Sequence, residues 1–217
     1  MIEIIPTILV KTQEEAEERV KTMGGKVSWM QIDVVDGKFA PNITWGDPNT
    51  VKNWKTDIRF EIDLMVQDPE TAVREWCKAA PKVGRIYFHQ ESAGAKTQQI
   101  IEHIKNSGIE AGISLNPNTS YKVLLPFTQK LDAVLFLGVD PGFNASPFQE
   151  TVIESVRYFH GKFPNIPITV DGGIRPGIAR QLAESGANRL ASGSYIFGSD
   201  TNPLTQLEAL RQDILGF

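Results

Sequence analysis

One cysteine, Cys77, stands in 217 residues, which excludes an internal disulfide framework and a cysteine-built zinc ribbon and fits a reducing compartment. Beside Trp76 in a stretch of helical spacing, it reads as a packing residue. No run of Lys and Arg occurs, and the formal charge is −4. Binding a phosphate backbone needs basic residues gathered on one face, so this composition argues against nucleic acid as the main partner; one small anion would need only a local positive site. No apolar run is long enough to span a bilayer, and MIEIIPTILV carries neither a charged n-region nor a small-residue cleavage site. No membrane partner and a cytoplasmic location are expected. Linkers rich in Gly and Ser, low-complexity tracts and charge blocks are also missing, so residues 1–217 are expected to form one domain. What is present is an ordinary globular composition, 41% hydrophobic and 22% charged, enough for one substantial core.

Short apolar runs rich in β-branched residues recur, most of them followed by a polar-punctuated segment with helical spacing. Strands are predicted at Ile4 to Leu9, Trp29 to Val34, Phe60 to Leu64, Arg85 to His89, Glu110 to Leu115, Ala133 to Gly138, Ile168 to Asp171 and Arg189 to Ser192. Between them lie helix-start signals: Thr12 before Gln13 to Glu18, Asp68-Pro69 before Val73 to Ala80, and Pro176 before Ile178 to Glu184; Gly108 and Gly186 sit where C-caps belong. The weakest helix is Asp47 to Trp54, short and holding the modest helix formers Asn49, Thr50 and Asn53. Eight parallel strands with helical crossovers close into a (β/α)8 barrel at this length, whereas an open doubly wound sheet usually has fewer strands.

The chemistry of such a barrel lies at the C-terminal ends of its strands. Alternation sends Gln31 and Asp33 to one side of the second strand and Ile32 and Val34 to the other, and it turns Asp63 away from Ile62 and Leu64. His89 and Glu91, Asn116-Pro117, Asp140 and Asp171 close later strands, so polar groups from six strands are expected to converge. A carboxylate inside an apolar strand is costly to bury unless it is paired, hydrogen-bonded or bound to a cation, so Asp33 and Asp63 are read as functional. Asp171 joins them because Gly172-Gly173 behind it lets backbone N–H groups approach a ligand. Asp36 before Gly37 and Asp140 before Pro141 are read as turn or cap residues. His89 is expected to be a satisfied polar residue, and His103 and His160 to be solvated helix positions. Phe39, Phe143, Phe148 and Phe197 stand where they either cover a ligand or simply pack. Glycines at Gly142, Gly172-Gly173 and Ser192-Gly193-Ser194 follow the last three strands, a common position for a phosphate site.

Along nearly its whole length the chain resembles the ribulose-phosphate 3-epimerase family. The resemblance is carried by Pro6-Thr7-Ile8-Leu9, by Asp33-Val34-Val35-Asp36-Gly37-Lys38-Phe39-Ala40-Pro41-Asn42, by Leu64-Met65, His89-Gln90-Glu91 and Leu115-Asn116-Pro117-Asn118-Thr119, and by Pro141-Gly142-Phe143, Val170-Asp171-Gly172-Gly173 and Gly193-Ser194 with Ile196-Phe197. It implies a phosphorylated ketopentose whose C3 lies between the catalytic acids Asp33 and Asp171. Thr7, Met65, Gly142, Phe143, Asn144, Ala145, Gly172, Gly173, Gly193 and Ser194 would then contact substrate. One acid removes the C3 proton, an enediolate forms, and the other returns a proton to the opposite face. The family stabilises that charge with a divalent metal on two His and two Asp, and its habit of association implies a homo-oligomer, although the sequence shows no clean apolar interface.

Here the sequence departs from the pattern. Gln31 and Asp63 stand where the two metal-binding imidazoles belong, so the implied metal set is Gln31, Asp33, Asp63 and Asp171, all oxygen donors. That set suits Mg²⁺, Mn²⁺ or Ca²⁺ better than zinc. A metal-free site is the other possibility, with at least one of the three acids protonated. Val35 and Leu137 replace usual methionines, and Asn144-Ala145-Ser146 replaces Gly-Gly-Gln in the phosphate loop. Two functions follow: an epimerase of pentose phosphates with an altered metal site, or a non-catalytic barrel that binds a phosphosugar.

Overall fold

Alternation of apolar residues with inward polar ones builds eight parallel strands in the computed structural model, which describes residues 2–141 and 147–217. They are β1 (Glu3–Ile8), β2 (Trp29–Val35), β3 (Arg59–Met65), β4 (Val83–His89), β5 (Glu110–Leu115), β6 (Ala133–Leu137), β7 (Ile168–Asp171) and β8 (Arg189–Ser192). They pair in chain order, and β8 closes on β1 with Glu3 opposite Arg189. The predicted barrel is thus the observed one, with strand ends displaced by one or two residues. Gly138, for example, falls outside β6, yet its N–H still bonds the Asp171 carbonyl at 2.6 Å.

Among the described residues the α-helices are α1 (Gln13–Met23), α2 (Pro48–Asn53), α3 (Pro69–Trp76), α4 (Gln90–Ala93), α5 (Thr97–Asn106), α6 (Thr151–Lys162), α7 (Ile178–Glu184), α8 (Ser194–Phe197) and α9 (Pro203–Asp213). None is long and apolar enough to cross a membrane. The Thr12 hydroxyl accepts the Glu15 N–H to start α1, which buries Ala16, Val20 and Met23 against the sheet. The short α2 forms despite weak propensity because Asp47 accepts from the N–H groups of Asn49 and Thr50, Pro48 opens the first turn, and Val51 is fully buried. Gly108 and Gly186 follow α5 and α7 with φ of 74° and 102°, the left-handed backbone expected after a helix end. Cys77, half-buried, follows the last turn of α3 as a packing residue.

Outward residues of the strands, among them Ile8, Ile32, Ile62, Phe88, Ile113, Val134, Val170 and Leu190, form the main core against the helices. The barrel interior is more polar. Near its N-terminal end Arg85 forms ion pairs with Glu61 and, at 2.7 Å, with Glu110, while its guanidinium carbon lies 4.7 Å from the Trp29 ring centre. Above them the Tyr87 ring fills the axis against Ala133, Leu135 and Leu137, and its hydroxyl meets the Thr169 hydroxyl at 2.7 Å. Gly112 is required here, since a Cβ would fall on the Tyr87 ring. This plug is the floor of the site at the opposite end.

Candidate active site

Register sets the mouth. Asp33 lies opposite Asp63 on neighbouring strands, and Asp171 ends β7 opposite Leu137 and Ala191. All three acids are buried, at 3%, 0% and 6% exposure, and one carboxylate oxygen from each lies within 4.8 Å of the other two. Gln31 spans the gap between two of them: its Nε2 donates to Asp33 Oδ1 at 2.7 Å and to Asp171 Oδ2 at 2.9 Å. Asp63 is held from the other side, by the Ser114 hydroxyl at 2.6 Å and by His89 Nε2 at 3.6 Å from its Oδ2.

These surroundings set the charges. Asp33 is driven well above the ordinary carboxyl range, by burial first and then by the charges of Asp171 and Asp63, against the pull of the Gln31 amide. Burial and the Asp63 charge push Asp171 up to about 8, opposed by bonds from Gln31 and the Gly172 N–H. For His89, burial acts to lower the pKa, but Asp63 and Glu91 outweigh it and carry it up to about 9. Glu91 is likewise penalised by burial, yet His89, the Thr119 hydroxyl and the Asn116 N–H bring it down to about 2. The mouth therefore holds a buried carboxylate pair competing for protons beside an imidazolium flanked by two acids.

The signs give a stability profile for the metal-free protein. Raised carboxyl pKa values mean that the folded state binds extra protons, so stability falls as pH rises from the ordinary carboxyl range through about 8 for Asp171. The His89 contribution, complete below the ordinary imidazole value, is lost as pH rises through about 9. Glu91 has the opposite sign: its contribution is present above the ordinary glutamate value and is lost as pH falls toward about 2. The unfolding temperature is expected to be highest in weakly acidic buffer and to decline toward about pH 9. Added Mn²⁺, a countercharge that replaces protons, should raise it more at about pH 8 than at about pH 5. Differential scanning calorimetry checks both; a profile that climbs from about pH 5 to about pH 9 contradicts the proton linkage.

The predicted site residues do not all assemble. Thr7, next to last in β1, is 2% exposed and its hydroxyl has no partner among the described residues, and Met65 is buried with Val35 and Ala40, with Phe39 against them. Gly172 and Gly173 take φ of 95° and 70°, and Gly193 lies against Thr7 just before Ser194 opens α8. Gly142, Phe143, Asn144 and Ala145, with Ser146, lie outside the described residues.

Asp36 is the turn residue expected, its carboxylate accepting from the N–H groups of Lys38, Phe39 and Gln67. Asp140 is exposed and accepts from the Gln149 amide. The convergence from six strands needs correction: the Asn116 N–H and the Thr119 hydroxyl bind Glu91, which braces the rim, and Asp140 stays outside. His89 has the polar partners expected of it, as ion pairs rather than close hydrogen bonds: fully buried, it sets Nε2 3.6 Å from Asp63 and Nδ1 3.4 Å from Glu91. His103 and His160 lie on helices α5 and α6 but are half-buried rather than solvated, and the His160 ring packs against Gly186. Phe39 packs on the His89 ring with centroids 4.6 Å apart, Phe148 packs on Gly138 and Gly173, and Phe197 receives the Arg19 guanidinium. The sequence reading missed Ser114, although alternation along Glu110–Leu115 places it inward beside Gly112.

The acidic triad could hold a divalent cation. Among the described residues Gln31 Oε1 and Asp63 Oδ2 are buried without a hydrogen-bond partner, and turning the Gln31 amide over would present its oxygen to the same place that its N–H groups bridge. The donors are therefore compatible with a hard cation.

Residues 3–197 match the ribulose-phosphate 3-epimerase family. The cytoplasmic isoform of ribulose-phosphate 3-epimerase from Oryza sativa subsp. japonica is 33% identical over 193 residues, covering 87% of this chain and 83% of its own. The ribulose-phosphate 3-epimerase of Bacillus subtilis is 32% identical over 207 residues, covering 91% and 93%, and that of Schizosaccharomyces pombe is 31% identical over 218 residues, covering 98% and 93%. Among solved structures, 3-hexulose-6-phosphate synthase from Salmonella typhimurium is similar at a TM-score of 0.74 over 99% of both chains, with 14% identity, a likeness of fold alone. Agreement of family model, relatives and barrel places this chain in the ribulose-phosphate 3-epimerase family, among the isomerases.

Proposed function

We propose that this chain interconverts ribulose 5-phosphate and xylulose 5-phosphate by proton transfer at C3 between Asp33 and Asp171. The observation that carries the reading is the pair itself: two buried carboxylates from β2 and β7, bridged by one amide and both held above the ordinary carboxyl range. One ionised and one protonated member is the state that C3 inversion requires. The ionised acid takes the C3 proton, leaving an enediolate, and the protonated acid delivers its proton to the opposite face; the pair ends with its protonation exchanged. Gln31 maintains the separation, and Tyr87 below keeps bulk water off the axis.

Gln31, Asp33, Asp63 and Asp171 would hold the divalent cation, which supplies positive charge to the enediolate oxygens when bound. An all-oxygen set favours Mg²⁺, Mn²⁺ or Ca²⁺ over zinc. The buried Thr7 hydroxyl has no protein partner among the described residues and is placed for a substrate hydroxyl. Met65 with Phe39 would cover the sugar, and backbone N–H groups of Gly172, Gly173, Gly193 and Ser194, with the Gly142 to Ala145 loop, would receive the phosphate.

The test is exchange of the C3 hydrogen of ribulose 5-phosphate in deuterated water, followed by NMR with Mg²⁺, Mn²⁺, Ca²⁺ and Zn²⁺ supplied in turn. Enzyme-catalysed exchange with xylulose 5-phosphate as product is expected. Binding of the phosphosugar without exchange under every cation would reject epimerisation and return the barrel to a binding role.

A further inference from the structure

One cation of α1 behaves unlike its neighbours. Glu14, Glu15, Glu17, Glu18 and Lys21 are exposed, but Arg19 is half-buried. Its Nη1 donates to the Thr7 carbonyl at 3.1 Å, and its guanidinium carbon lies 4.6 Å over the Phe197 ring. Both anchors border one turn. A Cβ on Gly193 would stand 3.5 Å from the same Thr7 carbonyl oxygen, and the Phe197 N–H bonds the Gly193 carbonyl at 2.9 Å. Arg19 is thereby clamped between the end of β1 and the turn that follows β8.

We propose that Arg19 is the cationic arm of the phosphate site, pairing with the phosphate dianion of the ketopentose as it settles against Gly193 and Ser194. The inference rests on the epimerase reading for its substrate and adds a charged side chain to a site otherwise described through backbone N–H groups. Guanidinium geometry fits that role, being a rigid fork with five donors, of which the bond to Thr7 is the one made among the described residues. Stacking on Phe197 fixes its plane before the ligand arrives. Burial lowers its pKa, while the charges of Glu15 and Asp33 act the other way, so Arg19 already lies within the field of a catalytic acid. The other cations near this mouth, Lys11, Lys38 and Arg175, are exposed and hydrated.

A purely structural role, tying α1 to the barrel, is the rival. Arg19→Met keeps length and much of the stacking contact but removes the charge; Arg19→Lys keeps the charge and loses the fork. The readouts are KM and kcat for ribulose 5-phosphate, the inhibition constant of inorganic phosphate, and the rise in unfolding temperature that inorganic phosphate produces in each protein. Loss of a charge-assisted pair should raise KM and the phosphate inhibition constant of Arg19→Met roughly tenfold or more, with kcat moving far less. Arg19→Lys should recover part of this. Unchanged phosphate inhibition in Arg19→Met overturns the proposal, as does a variant that loses kcat or stability while keeping phosphate affinity. Should the wild-type protein show no turnover, the epimerase reading fails by itself. Stabilisation by inorganic phosphate that disappears in Arg19→Met would then still support the anion site, and stabilisation equal in both proteins would sink it.

Discussion

Asp33→Asn is expected to lower epimerisation by roughly 10²- to 10⁴-fold, the range for removal of a general acid or base, and at the same time to raise the unfolding temperature of the metal-free protein. The two effects have one cause. Asp33 is buried with Asp171 and Asp63 and is kept well above the ordinary carboxyl range by burial and their charge, so the fold is strained wherever that group must ionise. Asparagine keeps the shape and still accepts the Gln31 N–H that now reaches Asp33 Oδ1 at 2.7 Å, while the like charge facing Asp171 is gone. A gain of at least about 3 °C at about pH 8 is expected, corresponding to roughly 1 kcal/mol in a chain of this size. Paired measurements of exchange rate and calorimetric unfolding decide it. Activity within a few-fold of wild type would remove Asp33 from the proton path, and a lower unfolding temperature would contradict the electrostatic strain assigned to it.

Arg85→Met should destabilise the protein by about 3 to 5 kcal/mol, because it removes the ion pair of the buried Glu61 and leaves only the more distant Arg189 charge to oppose its desolvation. Arg85 lies 2% and Glu61 0% exposed, whereas the Glu110 side chain, the other member of the cluster, retains 43% exposure and is partly hydrated. Glu61 is accordingly the residue that suffers. Replacing it as well, in Glu61→Met with Arg85→Met, exchanges a buried pair for apolar packing and should restore most of the loss. Urea unfolding of the single variants and the double variant closes the cycle. If Arg85→Met alone were within about 1 kcal/mol of wild type, the Arg85 pair would contribute little and Arg189 or water would have to compensate Glu61.

The barrel was readable from residue pattern because each strand announces itself locally, through β-branched apolar runs bounded by turn residues. Even the weak helix at Pro48 carried its own cap in Asp47. The inward facing of Gln31, Asp33 and Asp63 was legible for the same reason, as alternation is a property of one strand. Partnerships were not. Gln31 and Asp171 are 140 residues apart, and nothing in either strand indicates that one amide will span both acids. Ser114 with Asp63 also crosses the barrel interior, and even Arg85 with Glu61 on paired strands and Arg19 with Thr7 on successive elements meet only once strand register and helix packing are set, so only the folded chain displays them. His89 shows the limit most clearly. Its place at the end of a strand was evident, but its position between Asp63 and Glu91 depends on β3 pairing beside β4 and on the turn into α4 bringing Glu91 back to the ring.

The two ends of the barrel axis treat their acids differently. At the N-terminal end arginine answers glutamate within the chain, while at the mouth three aspartates meet one amide, one hydroxyl and one imidazole. The positive charge that the mouth lacks is the one the proposed divalent cation would bring, so that cation would complete the molecule as well as serve its chemistry. Since ligands that bind only the folded form reduce the fraction that opens, resistance to degradation should follow metabolic supply. The protein would then be longest-lived in cells where it is busiest.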